Sequence, residues 1–311
     1  MSFTKRNLQY VIQLNSGSFQ LPGAANETFD NGASTLTIDG IRSVATIQTA
    51  AGGMSPFVGR GVFQMFGMKP ADMAKLSTLG LDISRINKNA IWCFAYDEGN
   101  SANAIQVFAG TIRQARINYN AMPDVSLELD CYGAGDQQTQ AIPATSVQGV
   151  GDVTGMLQGI CAACNPPVTF VNHGVTAKLA NPAYAGSPEQ QIRNICLDTG
   201  IAYTLQGGTL TIWNSDQNID GVVVSVGSET GMVGYPEYSM MGYDVTTEFN
   251  PEIQVGRQLA MEASRSPDVP PIPGIPGTYL IRMVEHELSS QLPGGPWFTH
   301  AHVTTGVSAR S

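Results

Sequence analysis

Residues 228–263 read SETGMVGYPEYSMMGYDVTTEFNPEIQVGRQLAMEA, and residues 277–303 read GTYLIRMVEHELSSQLPGGPWFTHAHV. Within them Tyr243, Val245, Thr247 and Phe249 alternate with Asp244, Thr246 and Glu248, a period of two that only a strand converts into faces. Leu259, Met261 and Ala263 repeat the alternation, as do Tyr279, Ile281 and Met283, and Trp297, Thr299, Ala301 and Val303 supply a fourth copy. Asn250-Pro251 is expected to join the first two strands and Leu292-Pro293-Gly294-Gly295-Pro296 the last two. Four strands with such turns predict a small antiparallel sheet or barrel, its inner face carrying Trp297, Thr299, Ala301 and Val303.

Working back to the amino terminus, Tyr10 to Leu14 and a long stretch from Thr35 to Ile47 read as opening strands, joined by a polar connection from Pro22 to Ala33. After the apolar run Val62 to Phe66, Met73, Leu76 and Leu79 fall near helical spacing between Pro70 and Gly80, which predicts one short helix. Ile91 to Tyr96 and Ile105 to Ala109 flank Asp97-Glu98-Gly99-Asn100, a hairpin. Val125, Leu127, Leu129 and Cys131 give the cleanest strand pattern, closing a first unit of six or so strands near Tyr132.

Gly133 to Gly151 has the composition of a linker. The period then becomes helical. Val153, Met156, Leu157, Ile160, Cys161 and Cys164 form one apolar stripe behind an Asp152 cap, ended by Pro166-Pro167. Ser187-Pro188-Glu189-Gln190 is a capping box with proline in the first turn of a second helix, which stops at Gly200 with Ile192, Ile195, Cys196 and Thr199 inward. Packed on strands at Val168 to Val171 and Gly208 to Trp213, the two helices predict a small α+β module, and the second sheet unit resumes from Gly221.

The run GMVGYPE, the pattern N-P-x-I-x-V-G-R-x-L and the ending G-x-Y, V-x-H-x-L, P-G-G-x-W-x-T resemble the C-terminal barrel of baseplate or tail hub proteins of tailed bacteriophages. VFAGTIRQA, Val107 to Ala115, resembles a strand of the first barrel in the same family, so the resemblance spans most of the chain. It implies a mainly β fold with an α+β insert: two small tail-tube-like antiparallel β-barrels over residues 1–145 and 219–311, joined by a helix-containing domain over 146–218. It further implies a homotrimer whose six barrels form a pseudo-sixfold ring around a channel, adapting a sixfold tail tube to a threefold spike. Expected neighbours are the tail tube protein, the central spike protein, other baseplate proteins and the tape measure protein, within a virion assembled from chains made in the host cytoplasm. The related alternative is a hub or spike of a contractile bacteriocin or type VI secretion machine, which normally continues into a long β-helix.

Charge fits that expectation. Charged residues make up only 13% of the chain, which leaves surface for partners, and acidic residues outnumber basic ones 25 to 16 for a net −9. No Lys/Arg cluster offers the counterion release on which tight DNA binding depends. In a ring of three, a lumen of this sign repels phosphate, so DNA is expected only in transit. The amino terminus lacks a signal-peptide core and no run approaches the ~20 apolar residues of a membrane helix, so no membrane insertion is expected. Five cysteines, Cys93, Cys131, Cys161, Cys164 and Cys196, read as reduced core residues.

Candidate chemistry is sparse. Cys161-Ala162-Ala163-Cys164 has C-x-x-C spacing, but both thiols lie on the apolar stripe and no second ligand pair follows, so core packing is the better reading. His300 and His302 share a strand face, and His286 lies on the strand paired with it; a zinc site would need all three plus a fourth ligand. Glu285 and Glu287 share a face as glycosidase carboxylates do, and equally as a solvated strand exterior does. With the histidines they define the alternative of a tail-associated cell-wall hydrolase. Gly149, Gly151 and Gly155 are spaced G-x-G-x-x-x-G, one residue off a dinucleotide loop. Asn26-Glu27-Thr28 matches a glycosylation pattern and reads as a polar loop. Five prolines between Ser266 and Gly277 predict a stiff projecting arm or a rigid hairpin loop. No catalytic, cofactor-binding or metal residue is assigned.

Overall fold

The computed structural model describes residues 5–14, 34–52, 59–77, 89–97, 100–120, 122–239, 242–261 and 277–304. The Asn26 pattern and the proline-rich segment lie outside the described residues. In the amino-terminal part, strands β1 (Arg6–Gln13), β2 (Thr35–Asp39), β3 (Ser43–Ala50) and β4 (Gly59–Phe66) precede helix α1 (Pro70–Ser77), and β5 (Ala90–Asp97), β6 (Ile105–Asn118) and β7 (Ser126–Tyr132) follow it. Their order is β3-β4-β7-β6-β5-β1-β2, antiparallel throughout. The expected single strand from Thr35 to Ile47 is two strands. Gly40, with φ of +63°, breaks it, sending β2 to the edge beside β1 and β3 to the opposite end of the path.

Alternation decides which side of this sheet is dry. Leu8, Tyr10, Ile12, Ala45, Ile47, Phe63, Met65, Phe108, Leu127 and Leu129 converge on one core, and Met73 and Leu76 of α1 cover its end. Phe63 meets Tyr10 and Phe108 edge-on at 5.5 Å each, geometry worth about 0.5–1.5 kcal/mol per pair beyond area burial. Gln291 donates to Oδ1 of Asn7 at 2.7 Å and Arg6 stacks over Trp297, drawing β1 toward the far end of the sheet so that it curls into a barrel.

The carboxy-terminal part contains β15 (Val223–Val226), β16 (Glu237–Tyr238), β17 (Tyr243–Glu248), β18 (Gln258–Met261), β19 (Gly277–Ser290) and β20 (Trp297–Thr304). Asn250-Pro251 does not close a hairpin: β17 pairs with β16 and β20, while β18 pairs with β15 and β19. Ile253 and Val255 drop into the core between them. A bulge between Ile281 and Met283 reverses the expected facing of Met283, and Val284 takes the inward position. Trp297, Thr299, Ala301 and Val303 all point inward, as their alternation predicts.

Between the two lies a smaller unit: α2 (Gly135–Thr139), β8 (Thr145–Ser146), β9 (Val150–Asp152), α3 (Val153–Ala163), β10 (Thr169–His173), β11 (Lys178–Ala180), β12 (Ala183–Tyr184), α4 (Pro188–Thr199), β13 (Ile201–Gln206) and β14 (Thr209–Asn214). The expected linker is therefore ordered, and Ala134 joins the core formed by α3, α4 and the β10-β14-β13 sheet. Both helix starts form as their sequences dictate. Asp152 accepts from the Gly155 amide at 2.8 Å. Ser187 and Gln190 complete a reciprocal capping box, and Gly200 ends α4 in the left-handed region at φ +67°. Such a cap is worth about 1 kcal/mol.

The amino- and carboxy-terminal parts repeat one topology. The path β3-β4-β7-β6-β5 corresponds strand for strand to β16-β17-β20-β19-β18, every pair antiparallel. Strands β6 and β19 are both 14 residues long and both carry a bulge, after Ile112 and after Ile281. The bulge residue is arginine each time. Arg113 stacks over Tyr132 and Arg282 donates to Oγ1 of Thr304, two partners at matching register. The Ile112 amide donates to Asn89 at 3.0 Å and the Ile281 amide to Arg257 at 2.9 Å, again at matching positions.

Candidate assembly interface

The two barrels are not separate bodies on a linker. They belong to one 13-stranded sheet, joined where β19 pairs with β3 over eight residues from Met283↔Ala50 to Ser290↔Ser43. This is possible because β18 covers only the first part of β19, Gly277 to Leu280, and leaves the rest of that edge open. Strand β3 fills it. Leu288 and Trp297 consequently pack in the core of the amino-terminal barrel although they belong to carboxy-terminal strands.

The joined strands present one polar outer face. Residues directly opposite share a side of the sheet, so Asp244, His302 and Met283 form one row, and Thr246, His300, Glu285, Gln48 and Arg60 a second. Glu248, Phe298, Glu287, Thr46, Val62 and Asp130 form a third. Nδ1 of His302 lies 2.7 Å from Asp244, Nδ1 of His300 lies 2.9 Å from Oγ1 of Thr246, and Nε2 of His300 lies 3.7 Å from Glu287. Arg60 grips Asp130 at 2.9 and 3.3 Å, which raises the guanidinium pKa, and Arg116 binds Glu128 at 2.5 Å. The Asn118 amide, ahead of Arg116, holds the Glu128 carboxyl below its ordinary range. Across this face Asp130, Asp244, Glu128, Glu248, Glu285 and Glu287 outnumber Arg60, Arg116 and the two bulge residues Arg113 and Arg282, and Arg60 and Arg116 are already paired. The wall is acidic.

This arrangement decides the chemistry weighed from sequence. His286 is paired with Thr299, so it lies on the inner face, opposite to His300 and His302. Burial, and secondarily the charge of His300, push its pKa down to about 4. The three imidazoles converge on no common point, and among the described residues no group of three His, Cys, Asp or Glu side chains is placed to hold a metal. Cys161 and Cys164 lie in the insert core with thiols pushed up to about 12 and about 11 by burial, so neither supplies a thiolate at neutral pH. All five cysteines are free and buried. Gly149 is a left-handed turn residue and Gly151 pairs with Leu179, geometry unrelated to a dinucleotide loop. A cavity of about 320 Å³ opens where the three parts meet, lined by Thr49, Gln106, Thr204, Gln206, Gln254 and His286 among others. Its polar lining is amide, hydroxyl and a neutral imidazole, with no pair of groups poised to exchange a proton.

The shared β19-β3 joint is not visible in the residues, because pairing between distant strands leaves no local mark. The duplication of the two barrels does leave one mark. Gly110-Thr111-Ile112-Arg113 and Leu280-Ile281-Arg282 carry the same Ile-Arg step at the two bulges.

The overall fold is similar to that of phage tail proteins. Residues 88–301 match the family described as Baseplate hub gp41, and the chain belongs to that family. No curated protein sequence matches it. Among solved structures it is similar to the tail protein from Neisseria meningitidis MC58, with TM-score 0.57 and 13% identity over 86% of this chain and 96% of that one. It is also similar to a 43 kDa tail protein of prophage MuSo2 from Shewanella oneidensis, with TM-score 0.55 and 11% identity over 96% and 97%. An E. coli component of the type VI secretion system gives TM-score 0.56 and 9% identity over 86% and 74%. At these identities the likeness is one of fold. No helix among the described residues is long and apolar enough to cross a membrane.

Proposed function

We propose that the chain is a baseplate hub that works as a homotrimer, its six barrels forming a pseudo-sixfold ring around a channel. The ring matches a sixfold tail tube on one side to a threefold spike on the other. Other baseplate proteins and the tape measure protein contact its periphery. The observation that carries the reading is the duplicated strand order combined with the β3-β19 joint: each chain supplies two like seats at a fixed angle, and three chains supply six. The work is symmetry matching and channel formation, with no catalytic step. The acidic outer face of the joined sheet turns toward the channel, where it repels phosphate and keeps DNA sliding.

Sedimentation at micromolar concentration, followed by particle imaging, tests this. A trimer with a central hole is expected. A monodisperse monomer, or a ring whose lumen is lined by lysine and arginine, overturns it.

A further inference from the structure

The joint inside one chain is also a template for the joint between chains. Resting on the ring reading above, we infer that β16 of one copy pairs with the carboxy-terminal half of β6 of the next, by the geometry with which β3 pairs with β19. The topology supplies both partners. Strand β16 corresponds to β3, and like β3 it is hydrogen-bonded to its own barrel on one side, through β17; among the described residues no strand occupies its other side. Strand β6 corresponds to β19. Its pairing with β5 ends at Thr111 and the amide bond of Ile112 to Asn89, as the pairing of β19 with β18 ends at Leu280 and the bond of Ile281 to Arg257. Beyond that point β19 is filled by β3. Residues Gln114 to Asn118 of β6 are filled by no described strand on the equivalent side.

Exposed apolar side chains mark the same two places. Val233, Tyr235 and Tyr238 stand exposed along the β16 edge, and Tyr119 and Met122 stand exposed where β6 ends, with Tyr119 at 61% and Tyr238 at 67%. Open edges with apolar side chains are what a strand-adding partner covers. A second copy is the one partner whose matching edge is already drawn, because the chain shows the finished joint once. The register follows too. Thr46 faces Glu287 in the internal joint, and the strand correspondence places Glu237 of one copy opposite Asn118 of the next.

The test is a full-length double variant, Glu237→Cys with Asn118→Cys, treated with a short bis-maleimide; the native cysteines are buried and stay silent. Covalent trimers from the double variant, and only dimers from an equal mixture of the two single variants, are the expected result. Tyr238→Lys should weaken assembly about tenfold or more, whereas Leu197→Lys, an exposed site on α4, should leave it unchanged. A native trimer that gives no cross-link above that of a control pair on α4 overturns the edge assignment while leaving the ring intact. A chain that never trimerises overturns both.

Discussion

Nδ1 of His286 lies 2.9 Å from Oγ1 of Thr299, and the imidazole edge also meets the Phe249 ring at 5.3 Å, so this histidine is an inner-face residue of the strands that link the barrels. Its folded pKa of about 4 lies below the ~6.5 of an unfolded histidine. The unfolded chain therefore binds the proton first as pH drops, and the stabilising contribution present above pH ~6.5 is lost on the way to pH 4. His286→Gln removes that dependence. Urea unfolding at pH 7.5 and 4.5 should show the stability gap between native and variant chains shrinking by about 2 kcal/mol at the lower pH. Parallel pH dependence in the two would refute the assignment.

Asp136 behaves with the opposite sign. It is buried against the amino-terminal sheet, its Oδ1 lacks a partner, and burial pushes the carboxyl up to about 7, a rise that the neighbouring Thr111 offsets only in part. The folded state keeps the proton that the unfolded chain releases near pH 4, so stability falls between pH 4 and pH 7 and stays low above. Asp136→Asn should stabilise the chain by about 1–3 kcal/mol at pH 8 and by almost nothing at pH 4. A variant equally stable to the native chain at both values would count against a buried, partly protonated carboxyl.

Gly242 tests how closely the carboxy-terminal strands approach. A Cβ at this position would sit 1.9 Å from the carbonyl oxygen of Val303, so Gly242→Ala has to push β17 off β20. A loss of about 3 kcal/mol is expected. Gly159→Ala on α3 meets nothing within 4 Å and should instead gain about 0.5–1 kcal/mol. Thermal melts of the two variants side by side should move in opposite directions.

Much of the local structure is legible in the residues. The alternation from Trp297 to Val303, the Asp152 cap and the Ser187 capping box each specify their element within one or two turns of chain, and each forms as read. What the residues do not announce is partnership between distant strands. Tyr243 to Glu248 reads as a strand whichever neighbour it takes, and the Asn250-Pro251 turn misled because Ile253 and Val255 are pulled into the core and carry the chain past the hairpin. Met283 departs from the alternation because its bulge is a backbone event that composition does not encode. The acidic wall is visible in sequence only as a net charge, since its rows combine residues from β3, β4, β7, β17, β19 and β20 that lie up to two hundred and more positions apart.

Strand β19 belongs to both barrels at once, and this has a mechanical consequence. Force applied to one barrel reaches the other across a ladder of backbone bonds loaded side by side, and no single connecting peptide bears it. The pair of barrels should twist together as a stiff plate, so a rotation imposed on one is delivered to the other without slack.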